Sequence, residues 1–423
     1  MEFFLVAAFF AFFICLAWVN FRYAVCLLLL LLPGYLIRFN LGPLPSTLLE
    51  ISFGSIALVW LVRYFRSDWE VIKSFFLQYR ALFALIFIFF FASLIAAFAN
   101  PIPLKALGIW RAYFLEPIIL FLILIGRHKE IPPKDLLKFL AWSSVGVSLM
   151  AIIQKITGHF YPPSLWDDQL FGRPTSFFTT PNAIGLYLVP ILILLAPAAA
   201  RIIQKKREPG DWWMMSILLA GVLAVLLSFS QGAWAAIVAG LIVFGFLFGQ
   251  RRLTASVLVI IIFTLALAPN IRNAFLFQDQ AGQNRLTLWK YSTEYLTKTP
   301  TNFILGSGLR RFFTEVQQPY YNVQEMERLI YPHNIFLNFW LETGLLGVLS
   351  FVGILIYLFY LAANIFKKNR LFGAAIAGAL TAFAVHGLVD VPYFKNDLAM
   401  IFWIITAAIV IIASNLSKEK TAS

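Results

Sequence analysis

The stretch from Tyr331 to Gly347 concentrates the residue types best suited to chemistry. Asn334, Asn338 and Glu342 recur every fourth residue, so they form one polar stripe on an otherwise apolar helix. Pro332 can open that helix, because it has no N–H to leave unpaired. His333 then lies at the positive end of the helix dipole, a setting that favours a neutral imidazole able to act as a general base. A lone histidine at a helix start is ordinarily a surface residue, and the stripe beside it argues against that plain reading. Further along, His386 and Asp390 are one helical turn apart, and could simply pair with each other. Glu50, Arg111, Glu116 and Lys155 also fall within or at the ends of apolar runs. Ionisable groups in such runs are costly, so they mark either a functional site or structural pairs such as Arg111 with Glu116.

The elements that must position these groups follow from composition. The chain has 423 residues, of which 61% are hydrophobic and only 13% charged, with a mean hydropathy of +0.82. A soluble protein of this length needs a far more charged surface. Apolar runs long enough to cross a bilayer as helices recur along the chain. Helices are the expected solution because lipid offers no partner for bare backbone groups, and the alternating pattern of a membrane barrel is absent. The predicted fold class is therefore all-α: a single polytopic bundle over 1–423. Thirteen runs qualify, at about 3–19, 23–37, 46–62, 81–99, 106–125, 136–157, 182–200, 212–229, 231–249, 253–269, 335–361, 371–389 and 397–414. The count falls to eleven or twelve if the first two form a re-entrant hairpin or one of them lies on the surface.

The net charge of +13 is read as the basic excess of cytoplasmic loops, with no nucleic acid implied. Lys and Arg cluster after every second run: Arg63 to Arg80, Arg127 to Lys138, Arg201 to Arg207, Arg251 and Arg252, Lys367 to Arg370, then Lys418 and Lys420. This regularity places the C-terminus in the cytoplasm. Met1-Glu2-Phe3 carries no basic n-region, so no standard signal peptide is expected there. The segments 158–181 and 270–334 then face outward. The second is rich in Trp, Tyr and Phe, has a helix-like stretch from Asn284 to Thr299, and is long enough to be a functional loop. Cys15 and Cys26 sit in apolar runs and read as packing residues, with no disulfide and no metal site expected.

The Tyr331–Gly347 segment resembles the signature of the O-antigen ligase and O-antigen polymerase superfamily, in which a His-Asn start is followed by a Glu and two Gly at this spacing. Other pieces agree in order over about 100–400. Phe171-Gly172-Arg173-Pro174-Thr175-Ser176-Phe177, followed by Pro181-Asn182, resembles the family's external Arg segment. Ser228-Phe229-Ser230-Gln231-Gly232-Ala233-Trp234 resembles its Ser-Arg-Gly-Ala step, with Gln231 standing where many members carry Arg. Asn284-Arg285-Leu286-Thr287-Leu288-Trp289 and then Gly306-Ser307-Gly308-Leu309 resemble the core of its large periplasmic loop.

The resemblance implies an inverting glycosyltransferase of the GT-C type in the bacterial inner membrane. Such an enzyme takes a saccharide from undecaprenyl pyrophosphate at the periplasmic face and needs no nucleotide sugar, metal or other cofactor. The implied acceptor is lipid A-core or another glycan or protein, and membrane lipids are the remaining partners. The departing pyrophosphate needs fixed positive charge, which the planar fork of Arg supplies well. Arg173 and Arg285 match family motifs and are the expected phosphate ligands, and His333 the expected general base. Arg310 and Arg311 are second candidates; contact with anionic lipid headgroups explains them equally. Asn182 opens a run after Thr180-Pro181 and offers N–H groups to phosphate. Asn334, Asn338 and Glu342 would hold the helix or the sugar, and Arg111 joins them as a substrate-binding candidate. Trp289, one turn after Arg285, could stack on that Arg or on a sugar, or anchor the loop at the interface. A polymerase or a protein oligosaccharyltransferase of the same superfamily remains open. The alternative from another class is a lipid-oligosaccharide flippase, disfavoured because no repeated halves are visible.

Overall fold

The computed structural model describes residues 2–41, 44–162, 172–322 and 328–422. Among the described residues the chain is mainly helical, with one short hairpin. In chain order α1 (Glu2–Val19) and α2 (Phe21–Leu30) lead into the antiparallel pair β1 (Arg38–Leu41) and β2 (Leu44–Thr47). Next come α3 (Leu48–Val59), α4 (Phe65–Gln78), α5 (Arg80–Phe98), α6 (Pro103–Trp110) and α7 (Glu116–Gly126). They are followed by α8 (Pro133–Thr157), α9 (Asn182–Ile203), α10 (Asp211–Leu227), α11 (Gln231–Phe248) and α12 (Arg251–Leu267). The long loop between α12 and α16 supplies α13 (Pro269–Phe275), α14 (Gln280–Lys298) and α15 (Pro300–Leu305). Three long helices close the chain: α16 (Ile335–Lys368), α17 (Arg370–Gly387) and α18 (Asn396–Ala422).

Among the described residues, nine helices are long and apolar enough to cross a membrane, and Phe4–Val19, Phe21–Leu30 and Asp211–Leu227 are shorter apolar helices. The chain is thus an all-α polytopic membrane bundle. Two details differ from the sequence reading. The run expected at 23–37 is a ten-residue helix followed by a 3₁₀ turn at Leu32–Leu36, because Pro33 and Gly34 break the apolar run. The basic stretch expected as a loop after residue 62 is instead helix: a π turn at Trp60–Tyr64 carries α3 straight into α4.

The chain divides into two compact units, 1–79 with 115–230 and 394–423, and 80–114 with 231–393. In the first, α9 and α18 are apolar all round and buried on nearly every side, as a helix enclosed by its neighbours must be. α18 packs on α7, α8 and α9, and α10 packs on α8 and α9. In the second unit α16 packs on α5 and α17, and α11 on α17. Its core is aromatic. Phe339 and Phe351 lie 4.0 Å apart, Phe89 and Tyr393 surround them, and the Tyr393 hydroxyl donates to the Tyr113 carbonyl at 2.8 Å.

The described part of this long loop belongs to the second unit and is packed. Leu288, Leu296, Phe312 and Val316 form one buried cluster with Leu341 of α16. Burying these side chains against the helix stabilises the loop by about 1.5–3 kcal/mol for each large residue. Two glycines make the joint. Gly344 has φ 74° and ψ −178°, which breaks α16. The Leu341 carbonyl receives the Ser307 N–H at 2.6 Å and the Gly308 N–H at 3.1 Å. A Cβ at Gly344 would meet the Ile304 carbonyl at 2.4 Å, and one at Gly306 would meet the Leu341 carbonyl at 2.3 Å. The Gly306-Ser307-Gly308 turn and Gly344 therefore form a single backbone-to-backbone contact.

Candidate active site

α16 begins one turn later than Pro332 suggests. Asn334 is its N-cap, and the Asn334 Oδ1 accepts the N–H groups of Phe336 at 3.0 Å and Leu337 at 3.1 Å. The same side chain donates through Nδ2 to the Leu388 carbonyl at 3.1 Å. Asn334 therefore ties the start of α16 to the end of α17, and both of its polar ends are occupied. His333 lies just outside the helix in a left-handed conformation, φ 53°. Such a conformation costs a non-glycine residue about 1–3 kcal/mol and is held only where the surroundings over-determine it.

The partner of His333 is Asp390. Its Nδ1 is buried and stands 3.4 Å from Asp390 Oδ1. Asp390 follows α17 and accepts the Val391 N–H at 2.9 Å. Burial pushes the Asp390 carboxyl up, but the hydrogen bond and charge of His333, with His386 and the Val391 N–H, outweigh it and hold the group well below the usual carboxylate range. The helix-end argument for His333 left this carboxylate out. With Nδ1 turned to Asp390, Nε2 is the nitrogen available to a substrate, and none of the described residues bonds to it. Tyr331 packs its ring edge 5.1 Å from the imidazole. Burial, with the nearby Asp390 adding, raises its phenol, which therefore stays protonated.

Arg285, on α14, reaches the same corner. Its Nε donates to the Val389 carbonyl at 3.1 Å, next to Asp390. Trp289, one turn on, neither stacks on Arg285 nor faces open space: its Nε1 donates to the Pro332 carbonyl at 3.0 Å, and its ring meets Phe277 edge-on at 5.5 Å. It holds the backbone immediately before His333. Arg310 has φ 59° and is exposed, and its backbone N–H donates to the Glu342 carboxylate. Arg311 is ion-paired to Glu315. Asn338 and Glu342 are buried, and both polar atoms of the Asn338 side chain and the Glu342 Oε2 lack a partner among the described residues. Arg111 sits half-buried in a π turn, Arg111–Leu115, of the span Pro103–Gly126; such turns recur at functional sites.

The first unit holds the remaining two candidates together. Arg173 donates through Nε to the Ser228 carbonyl at 2.9 Å, and through Nη2 to the Phe229 carbonyl at 3.3 Å and Asn182 Oδ1 at 3.4 Å. The first amides of α9 are already engaged: Ala183 N–H donates to the Thr180 carbonyl and Ile184 N–H to the Pro181 carbonyl, each at 3.2 Å. Asn182 therefore acts through its side chain on Arg173, and not through free N–H groups. Phe171 lies outside the described residues.

The residue that sequence reasoning left in the wrong pair is Asp390. Its spacing from His386 drew attention to that pair, whereas the fold gives its carboxylate to His333, 57 positions earlier. A polar residue between a helix end and Pro392 was the available signal.

These features define a polytopic membrane protein with a His–Asp contact and one half-buried guanidinium, that of Arg285 on α14, beside it. Residues 215–352 match the family model described as O-antigen ligase. That segment is similar to the family, and it contains the Arg285, Gly306–Gly308 and His333–Gly344 motifs. No curated protein matches the chain.

Proposed function

We propose that the protein is an inverting glycosyltransferase that moves a glycan from undecaprenyl pyrophosphate to an acceptor hydroxyl at the periplasmic face of the bacterial inner membrane. One observation carries the reading. Three other half-buried arginines have carboxylate partners: Arg127 with Asp68 and Glu130, Arg201 with Asp211, Arg311 with Glu315. Arg173 and Arg285 have only neutral partners among the described residues. A partly desolvated guanidinium without a counter-ion is a site for an anion, and its planar fork suits phosphate.

In the proposed step the acceptor oxygen attacks the anomeric carbon as the bond from that carbon to the pyrophosphate oxygen breaks. The pyrophosphate leaves with the bonding electron pair and is stabilised by a guanidinium, for which Arg285, in the same unit as His333, is the candidate. The acceptor proton passes to His333 Nε2, and Asp390 stabilises the imidazolium that forms. Arg310 is the remaining candidate for the leaving group, because its guanidinium is exposed while its backbone is fixed by Glu342. Arg311 is given a structural task, since Glu315 already neutralises it.

The test is direct. Purified protein in detergent, with no second compartment, is given a polyprenyl-pyrophosphate oligosaccharide and candidate acceptors. Release of polyprenyl pyrophosphate with glycan on the acceptor is expected. Donor that stays chemically unchanged across the acceptor classes would overturn the reading in favour of translocation.

A further inference from the structure

The segment that holds Arg173 carries a second cation with no task in the step above. Gln154, in the last turn of α8, is fully buried and uses all of its hydrogen-bonding capacity. Its Nε2 donates to the carbonyls of Phe160 at 2.9 Å and Ser176 at 2.8 Å. Its Oε1 accepts the N–H groups of Thr175 at 2.9 Å and Ser176 at 2.7 Å. One side chain thus fixes the backbone on both sides of the external loop, including the residues directly after Arg173 and Pro174.

Lys155, the next residue, is exposed. Its Nζ donates to the Gly172 carbonyl at 3.1 Å and lies 5.6 Å from the centroid of the Phe229 ring. Arg173 is bonded to the carbonyls of Ser228 and Phe229. Both cations are therefore anchored on the same two short segments, 172–173 and 228–229. Phe229 itself is held at φ 51°, a strained conformation for a phenylalanine. Among the described residues no carboxylate pairs with either cation, so both charges held on these segments are available to an anion. Burial also lowers the Arg173 guanidinium from its ordinary value, so its charge is under-compensated. A lysine in the last turn of a helix also eases the helix dipole, but that effect does not select a position against Gly172 and Phe229. Ile156 and Phe160, 78% and 69% exposed beside Lys155, suit an amphiphile better than a free anion.

We propose that Lys155 is a donor-binding residue, and that Lys155 and Arg173 together hold the pyrophosphate of a lipid-linked substrate on the loop that Gln154 fixes. This rests on the reading of the donor given above. Arg173 contributes a directed fork and Lys155 a point charge.

Full-length protein in detergent is titrated with a short isoprenyl pyrophosphate, and in parallel with inorganic pyrophosphate and with phosphatidylglycerol. The variants are K155Q, which keeps a donor for the Gly172 carbonyl without the charge, and K155R. K155Q is expected to weaken isoprenyl pyrophosphate binding about tenfold to a hundredfold, the loss of one charged hydrogen bond, with K155R close to wild type and the melting temperature of both unchanged. Wild-type affinity in K155Q overturns the proposal while leaving the donor reading in place. Equal competition by phosphatidylglycerol also overturns it, assigning Lys155 to headgroup contact. Failure of the wild-type protein to bind any isoprenyl pyrophosphate overturns the donor reading, and this inference with it.

Discussion

Arg285 and Arg311 lie in the same long loop, yet the fold treats them differently. Glu315, one turn after Arg311, neutralises it, whereas among the described residues Arg285 bonds only the Val389 carbonyl. Replacing Arg285 by Ala is therefore expected to weaken donor binding and slow turnover together, and Arg285→Lys to restore only part, since an ammonium lacks the bidentate fork. Arg311→Ala should act on stability and leave donor affinity near wild type. His333→Ala is expected to slow turnover roughly 10²–10⁴-fold, the usual range for a lost general base, with little change in donor affinity. His333→Asn separates this from a helix-start role: an active variant would remove His333 from the catalytic list. Asp390→Asn keeps the shape but not the charge, and on the proposed role it slows turnover about 10²-fold while donor affinity holds. Wild-type turnover in Asp390→Asn would reduce the pair to a structural contact. The same assays run in EDTA should show unchanged rates; loss on chelation, restored by Mg²⁺ or Mn²⁺, would contradict a step built on side chains alone. The motifs brought His333, Arg285 and Arg173 into view, because unusual polar residues in apolar surroundings stand out. The pairing of His333 with Asp390 was not legible, because a contact between residues so far apart in sequence is set by how α16 and α17 pack, not by local spacing.

At the scale of elements, the informative feature is the break in α16. A polar stripe repeating every four residues led to one uninterrupted helix, and Asn338 and Glu342 do lie on its buried side. Sequence spacing alone gave no sign that Gly344 leaves the helical region, since glycine is tolerated inside helices at a cost of about 1 kcal/mol. The reason lies in the loop: the Gly306-Ser307-Gly308 turn approaches so closely that Leu341 gives its carbonyl to Ser307 and Gly308. Gly344→Ala must then adopt φ 74° with its Cβ against the Ile304 carbonyl. The expected cost is about 1–3 kcal/mol, read as a lower melting temperature in detergent and a parallel fall in transfer activity. Gly108→Ala in α6, where a Cβ meets nothing within 4 Å, is the matched control and should be silent. If Gly344→Ala melts and turns over like that control, the turn and the helix break do not depend on each other.

For the whole molecule, the strongest sequence signal was charge asymmetry: basic clusters after alternate apolar runs. That signal predicts sidedness without any knowledge of packing, because Lys and Arg tend to be retained on the cytoplasmic side during insertion. It was blind to helix continuity, and so the basic stretch after residue 62 read as a loop when it is α4, entered through a π turn. Hydropathy alone could not separate the ten-residue α2 from a crossing helix, since Pro33 and Gly34 interrupt the run without lowering its apolar character. Sidedness can be tested independently of these boundaries. Cys15 and Cys26 are first replaced by Ala, which removes the native thiols. Single cysteines are then placed at Ala281, exposed on α14, and at Arg207, exposed in the connector before α10. With the external loop facing outward, a membrane-impermeant thiol reagent added to intact cells with a permeabilised outer layer should label Ala281→Cys and not Arg207→Cys. Disrupting the inner membrane should make both reactive, which shows that the protected thiol was accessible in principle. The reverse pattern would place α14, and with it Arg285 and Trp289, on the side where no lipid-linked glycan is presented, and would overturn the orientation and the proposed transfer reaction together.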